Sequence, residues 1–438
     1  MMQMVDRALD KRAAVLLFLI GMFSMTQIRL GPKIGISEAV CCLIGPFLFL
    51  KNISLFRRDG VMPFFLLLIF WMGGALFSDY LNQGYSYQLI RGASVPITLF
   101  CVSVCIYLLL RRNPLNLKWI IIGIALSSVL SIFVFQRGSA GDLAAEGQTA
   151  AAVERVVGYK LFWTDQVKTW LSLPIQCWYQ SMPPAFMLLA IVGIAVSNAM
   201  AGGRSLFAVT LLSLLFVLVG GKTERTITRL KRHIPLMVAG LFLLMLLVKA
   251  LYSYAATHGL LSEEETLKYE SQTAHGSGIM ALLKSGRADF FIGLDAALDR
   301  PIVGHGSQAL DTKGYEREFV FEYGSDIERK NYLCAEAKGY LRTIRAHSHI
   351  ICYWMWHGVF ALLFWIYVFC LLVQTIRKRL SLIPEWFGYF ALTLPAFAWD
   401  YFFSPLGLRV NECVLYTSML ILVRLERLRI RGGVFKCG

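Results

Sequence analysis

The chain has 438 residues, of which 57% are hydrophobic and 16% are charged. Soluble domains contain about 25% charged residues, so this composition excludes an ordinary soluble enzyme, a disordered protein and a disulfide-rich miniprotein. Lysine and arginine number 43 against 28 aspartate and glutamate residues, which gives a net charge of +15. Because cytoplasmic loops of membrane proteins collect lysine and arginine, the composition predicts a polytopic membrane protein without a nucleic-acid partner.

Apolar runs long enough to cross a bilayer recur along the chain. A hydrocarbon core of about 30 Å needs roughly 20 apolar residues in a helix. We predict spans at 13–28, 34–50, 61–77, 88–110, 117–135, 183–201, 205–220, 234–253, 348–373, 384–403 and 410–424. With the N-terminus in the cytoplasm, the basic segments at 51–58 and 111–118 face inward, as the positive-inside rule requires.

One additional crossing is needed to keep the later basic segments inside. The segment 222–232 would otherwise face outward, and a crossing within 156–177 corrects the orientation of everything that follows. Polar residues in a span are costly and usually face a protein interior or a wet cavity, so a surface-lying or re-entrant helix is the alternative there. We therefore predict an all-α fold with about 12 transmembrane helices.

A long polar segment separates two groups of spans. Residues 254–347 are too long and too mixed in composition for a simple connector. We predict an N-terminal transmembrane bundle over 1–253, and a large extracytoplasmic loop with its own helices over 254–347. C-terminal transmembrane helices and a basic cytoplasmic tail follow over 348–438.

Three arginines fall near the outer face in this topology. Arg204 lies in a short turn between two spans, where it is either a snorkelling anchor or an anion ligand. Arg287 is either a surface residue paired with Asp289 or a phosphate ligand, because a guanidinium binds phosphate oxygens through a two-bond fork. Arg91, inside the fourth span, is either a functional residue or a snorkelling one, with Asp79 as a candidate partner.

Two further motifs lie in or beside the loop. Gly304 and Gly306 flank His305, and we predict that these glycines shape the loop, since glycine permits positive φ and close backbone approach. His347 and His349 open the next span, where a histidine suits proton transfer near neutral pH, a zinc site or a structural hydrogen bond. Zinc is disfavoured because residues two apart point to different sides of a helix.

The order and spacing of these motifs resemble the O-antigen ligase and O-antigen polymerase superfamily. Its members are metal-independent membrane glycosyltransferases of the C-type architecture. The match runs from Arg204, which precedes an apolar helix, through Arg287 and the Pro-x-x-Gly-x-Gly segment within 300–306, to His347. His347 has the family spacing of eleven residues before Gly358, which selects it over the second histidine.

The resemblance implies a multi-pass protein of the bacterial inner membrane whose large loop and active site are periplasmic. It implies an undecaprenyl-diphosphate-linked glycan as donor, a glycan or glycolipid as acceptor, and surrounding membrane lipids. Neither a cofactor nor a metal is implied. Arg204 and Arg287, helped by Arg91, would bind the diphosphate, and His347 would be the general base of an inverting transfer.

The motifs leave two alternatives open. Either polymerisation of an O-antigen or exopolysaccharide, or ligation to lipid A core, would use the same residues, and departures from the family pattern slightly favour polymerisation. These departures are Ser348 in place of Asn, Ile350 and Ile351 in place of Tyr-Leu, and Ala361 in place of Gly. A transporter or flippase of lipid-linked oligosaccharide is the other class, although the paired repeats that transporters tend to show are not evident.

Overall fold

The computed structural model describes most of the chain and is predominantly α-helical. The described residues are 2–29, 33–82, 86–133, 168–200, 204–220, 236, 239–240, 243, 250, 253–259, 269, 287–323, 326–337, 343–404 and 409–431. Most of the predicted crossing at 156–177 and of the predicted span at 234–253 lies outside them. An all-α membrane protein is supported, while the number of 12 transmembrane helices and the placement of a periplasmic loop remain predictions.

The first third of the described chain forms six helices and one short hairpin. They are α1 (Met2–Met22), β1 (Gln27–Arg29), β2 (Lys33–Gly35), α2 (Ile36–Lys51), α3 (Ile53–Asp59), α4 (Met62–Leu81), α5 (Ser86–Leu110) and α6 (Leu117–Phe133). Helix α3 ends at Gly60, whose φ of 77° is the left-handed conformation that glycine adopts without strain. Pro63 then lies in the first turn of α4, where proline is favoured.

The remaining described helices follow in chain order. After a helical segment at 168–178 come α7 (Pro184–Met200), α8 (Arg204–Gly220), α9 (Ala288–Asp299), α10 (Tyr315–Tyr323), α11 (Asp326–Ala337), α12 (His349–His357), α13 (Val359–Gln374), α14 (Phe387–Phe403) and α15 (Arg409–Ile430). Helices α9 to α11 fall within residues 254–347, the segment predicted to form the large loop.

Three of the described helical segments are long and apolar enough to cross a membrane. They are Met62–Leu81, Gly92–Leu110 and Val359–Arg379. Helices α2 and α3 together make a fourth candidate, although they are bent by 74° where they meet. Two shorter apolar segments are Pro114–Leu130 and Ala185–Asn198.

Helix α15 is the centre of the bundle. Every residue from Cys413 to Val423 is buried, so this helix is covered on all sides, as expected for the interior of a large helical assembly. Its Tyr416 ring lies 6.0 Å from Phe64 of α4 and 5.6 Å from Phe397 of α14. The core is therefore assembled from helices that are distant in sequence.

The two ends of α4 make polar contacts with different parts of the chain. At its start, the carboxylate of Asp59 accepts a hydrogen bond from Arg111 and lies 3.6 Å from Nε of Arg424. At its other end, Oδ1 of Asn82 accepts a hydrogen bond of 2.7 Å from Arg300. A helix of 20 residues is about 30 Å long. The basic residues Arg111 and Arg424 and the loop residue Arg300 therefore lie at opposite ends of α4.

Two predicted spans differ from the observed helices. The run 13–28 stops being helical after Met22, and its last residues pair with β2, with Ile28 opposite Ile34. A short apolar run does not by itself distinguish helix from strand. The run 348–373 is interrupted at Gly358, where Val359 donates its N–H to the carbonyl of Ile302. The helix breaks there because the loop backbone bonds to it.

Candidate functional site

His347 and Asp289 form a pair at the loop end of the bundle. Nδ1 of His347 lies 2.7 Å from Oδ2 of Asp289. Asp289 is in the first turn of α9, where the helix dipole stabilises a carboxylate. His347 precedes Ser348, which caps α12 by accepting the N–H of Ile351 and which donates its hydroxyl to the carbonyl of Tyr401. The cap holds the histidine beside the end of α14.

The pair changes the acidity of both groups. The hydrogen bond that His347 donates to Asp289 raises the pKa of His347 above its ordinary 6.5, against the opposing effects of burial and of the charges of Arg345 and Arg287. Burial alone would raise the pKa of Asp289, but His347 and Arg345 lower it below its ordinary range. Since Nδ1–H donates to the carboxylate, Nε2 of the neutral imidazole carries the free lone pair.

Arg287 lies two residues before Asp289, and its charge acts on His347. It occupies the position just before α9, and its guanidinium carbon lies 4.8 Å from the ring centre of Trp399 and 5.3 Å from that of Phe403. Burial lowers the pKa of Arg287, but a guanidinium remains charged in proteins. The two aromatic rings of α14 therefore hold a partly desolvated cation in a defined orientation.

The side chains of the other two predicted diphosphate ligands lie outside the described residues. Arg204 is the first residue of α8, and Arg91 lies in the second turn of α5. The residue after it, Gly92, touches the loop so closely that a Cβ there would lie 1.9 Å from Oγ of Ser307. The backbone of α5 at this position therefore abuts the loop, while the predicted contact between Arg91 and Asp79 is not described.

Gly304 and Gly306 have φ angles of 80° and 84°. A Cβ at Gly304 would lie 2.4 Å from the carbonyl oxygen of Trp356. The N–H groups of His305 and Gly306 donate to the carbonyls of Met355 and Trp356 at 2.8 and 2.9 Å. The glycines thus allow this part of the loop to dock, backbone against backbone, on the end of α12.

A buried polar network lies behind the docked loop, and the sequence motifs did not reveal it. Trp71 donates its indole N–H to Nδ1 of His357 at 2.9 Å. The remaining ring proton of a neutral His357 is therefore on Nε2, which lies 2.8 Å from Oγ of Ser307. Ser307 in turn bonds both carboxylate oxygens of Asp79. All four side chains are buried, so the network ties the loop to α4 and α12.

The other histidines considered for metal binding make separate contacts. Nε2 of His305 lies 2.8 Å from the carbonyl of Ala296. His349 is buried, with its ring centre 5.2 Å from Trp365 and 5.9 Å from Phe397. Within the described part of the chain, no group of three His, Cys, Asp or Glu side chains is placed to hold a metal ion.

Comparison with protein-family models, curated proteins and solved structures found no match for this chain. The chemistry of the site must therefore be inferred from its own residues. These are an imidazole whose Nε2 is available to accept a proton, a carboxylate that orients it, and a guanidinium held on aromatic rings. Such a set can remove a proton and bind an anion in the same place.

Proposed function

We propose that the protein is a membrane glycosyltransferase of the O-antigen ligase and polymerase type. It would transfer a glycan from undecaprenyl diphosphate to a sugar hydroxyl, with inversion at the anomeric carbon. The observation that carries the proposal is the pairing of His347 with Asp289, where the charge of Arg287 also acts. The pair lies at the end of the bundle opposite to Asp59 and its arginine partners. A base and an anion-binding cation are the two groups that this reaction requires.

Arg287 would bind the diphosphate of the donor. When the bond to the sugar breaks, negative charge grows on the leaving diphosphate, and fixed positive charge in a poorly hydrated site stabilises it better than water does. The rings of Trp399 and Phe403 support this role, since they orient the planar fork without neutralising its charge. Arg204 and Arg91 remain proposed as additional diphosphate ligands.

His347 would be the general base. Its Nδ1–H is taken by Asp289, so Nε2 would accept the proton of the acceptor hydroxyl as the new glycosidic bond forms. The carboxylate fixes the tautomer and stabilises the imidazolium that results, which is the same division of labour as in catalytic triads. The side chain of His347 is 59% exposed, and so it is open to a substrate.

The location of the site supports a periplasmic reaction at a bacterial inner membrane. The basic residues around Arg424 and Arg111 are at the opposite end of the bundle from the loop. Since basic ends face the cytoplasm, the loop end would face the periplasm, where a finished lipid-linked glycan would be the donor. Its polyprenyl chain would lie among the membrane lipids.

The test is complementation of a strain that lacks the gene, with the cell's glycan read on a gel. We expect the wild-type gene and the control His258→Ala to restore the glycan, and His347→Ala to fail at equal protein level. A ladder that collapses to single repeats identifies a polymerase, whereas intact polymer left on the carrier lipid identifies a ligase. Single units stranded on the inner leaflet would instead identify a flippase and contradict the proposal.

Metal independence is tested in membranes that carry the protein and its lipid-linked donor. We expect transfer to persist when EDTA is added, because the proposed chemistry uses protein side chains such as His347, Asp289 and Arg287 and no metal ion. The control is the same membrane preparation without chelator. Loss of transfer with EDTA and its return with Zn²⁺ would replace the proposed base mechanism by a metal-dependent one.

A further inference from the structure

An apolar surface runs along the outside of α4 and α13, which belong to two of the segments long enough to cross a membrane. Its exposed side chains include Phe70 and Phe77 on α4, and Leu363 and Ile366 on α13. Phe360, at the start of α13, joins the two helices, because its ring centre lies 5.1 Å from Phe70 and 6.1 Å from Phe77. We call these five side chains the lipid-facing surface, since exposed apolar side chains on a spanning helix face hydrocarbon.

The loop places Ile302 beside the end of this surface. Val359, the first residue of α13, donates its N–H to the carbonyl of Ile302 at 3.0 Å. Gly358 packs against the same carbonyl so closely that a Cβ there would lie 2.0 Å from its oxygen. Ile302 is nevertheless 67% exposed. A large aliphatic side chain therefore lies on the outside of the protein, at the level where the apolar segment of α13 begins.

The neighbours of Ile302 are typical of a membrane–water interface. Pro301 is exposed and accepts the indole N–H of Trp354 at 3.0 Å. Arg300 is exposed and donates to Asn82, the residue after α4, at 2.7 Å. Tryptophan is enriched at the headgroup level, where its ring is apolar and its N–H polar, and arginine can lay its stem along apolar surface while its charge stays in water.

The backbone around Ile302 is held in place by hydrogen bonds on both sides. The N–H of Gly304 donates to the carbonyl of Arg300 at 2.9 Å and closes the turn. The carbonyl of Gly304 accepts a bond of 3.2 Å from the side-chain amide of Asn82. The turn is therefore fixed to the ends of both α4 and α13, and the exposure of Ile302 is a feature of the packed structure.

We propose that residues 300–302, the loop tip, insert into the bilayer surface beside α4 and α13. The side chain of Ile302 would lie among the acyl chains and the guanidinium of Arg300 at the level of the lipid phosphates. Phospholipid is the occupant because the tip adjoins the lipid-facing surface at Val359, and because Arg300 complements anionic headgroups. Helix α9 carries Asp289 in its first turn and ends directly before the tip, and its 12 residues span about 18 Å. The tip would thereby hold Asp289 at a fixed height above the bilayer.

Lipid contact is tested by site-specific photo-crosslinking of the full-length protein. Ile302 is replaced by p-benzoylphenylalanine, and the protein is reconstituted in vesicles of phosphatidylethanolamine and phosphatidylglycerol before irradiation. The same replacement at Leu363, on the lipid-facing surface, is the positive control, and at Leu333, on α11 of the loop, it is the negative control. These two leucines are matched in exposure, at 42% and 45%, so the comparison reports their surroundings.

The readout is the amount of phospholipid adduct, measured by mass spectrometry. We expect the adduct at position 302 to be within about twofold of that at 363 and at least about tenfold above that at 333, because only side chains at bilayer depth meet acyl chains. A lipid signal at 302 as low as that at 333 would place the loop tip in water. An adduct of twice the chain mass would instead identify a contact between two copies of the chain. Both results overturn the proposal, and since no transfer is measured, neither bears on the proposed function.

A second readout uses the wild-type protein, so that it does not depend on the folding of a variant. Hydroxyl radicals generated in water should oxidise Leu333 in the vesicles but spare Ile302 and Leu363, when oxidation is normalised to that of the unfolded chain. Ile302→Asp should raise the oxidation of Trp354 at least about threefold, because a charge at apolar depth draws water into the bilayer. Leu333→Asp is the control and should leave Trp354 unchanged. Oxidation of Ile302 in the wild type to the same extent as Leu333 would overturn the proposal.

Discussion

The imidazole of His347 is bound through Nδ1 to the carboxylate of Asp289, at 2.7 Å, although the two residues belong to different parts of the loop. This contact brings the start of α9 against the start of α12 and gives the histidine a defined tautomer. Asp289 was not among the predicted site residues. Asp289 lies two residues after Arg287, so the sequence suggests a pairing between Asp289 and Arg287 instead.

Replacement of His347 by alanine should reduce transfer by about 10²- to 10⁴-fold, the usual contribution of a general base. The amount of folded protein should stay unchanged, because the side chain is mostly exposed. The measurement is the initial rate in membranes, normalised to protein level. The exposed His258, which bonds Tyr254 and Thr257 of its own helical turn, is the control for loss of a histidine, and an equal defect in His258→Ala would contradict the assignment.

The pH dependence of the rate should report the pair. His347 acts as a base only when deprotonated, and its pKa is raised by Asp289, so activity should increase as the pH rises through that raised value. Asp289→Asn removes the cause and should move this acid limb to lower pH, with a lower maximal rate. Rates measured from about pH 5 to about pH 9 test this prediction. An acid limb at the same pH in Asp289→Asn and in the wild type would show that Asp289 does not set the pKa of the base.

The same pair should stabilise the fold only within a limited pH window. The pKa of His347 is raised, so its contribution is complete below the ordinary 6.5 and is lost as the pH rises through the raised value. The pKa of Asp289 is lowered, so its contribution is present above the ordinary 3.8 and is lost as the pH falls through the lowered value. Asp289→Asn should flatten this dependence of the melting temperature.

Arg287→Lys should restore little of the activity that Arg287→Ala loses. Lysine keeps the charge but has neither the planar fork nor the stacking face that Trp399 and Phe403 contact. We expect at least about a tenfold loss, since hydrogen bonds to charged groups contribute about 1.5–3 kcal/mol. Arg317 lies over the ring of Phe321 elsewhere in the loop and gives the matched control, since Arg317→Lys should leave activity unchanged. Full activity of Arg287→Lys would show that position 287 needs only a positive charge.

Gly304→Ala should destabilise the protein, because its φ of 80° is strained for alanine and the new Cβ would lie 2.4 Å from the backbone oxygen of Trp356. Strain of this kind costs about 1–3 kcal/mol. Gly73→Ala is the control, since nothing lies within 4 Å of a Cβ at that helical position. The measurement is the melting temperature of both variants in detergent. Equal values would show that the loop accommodates the new Cβ without loss of stability.

The sequence predicted those features that are written in local patterns. Apolar runs predicted helices because burying them in lipid or protein requires satisfied backbone groups. The bonds that assemble the site are not local. Trp71 and His357 are separated by 286 residues, and the local sequence around either residue contains no pattern that predicts the other. The break at Gly358 was missed for the same reason, since Ile302 of the loop causes it.

The central position of α15 has a consequence for biosynthesis. The thiol of Cys413 is bonded to the carbonyl of Leu99 on α5, and 314 residues separate them. A ribosome that adds about 5–20 residues per second needs roughly 15 to 60 s to translate that interval. Throughout it, the face of α5 that α15 will cover has no permanent neighbour. The translocon, lipid or a chaperone must shield the incomplete bundle until α15 is synthesised.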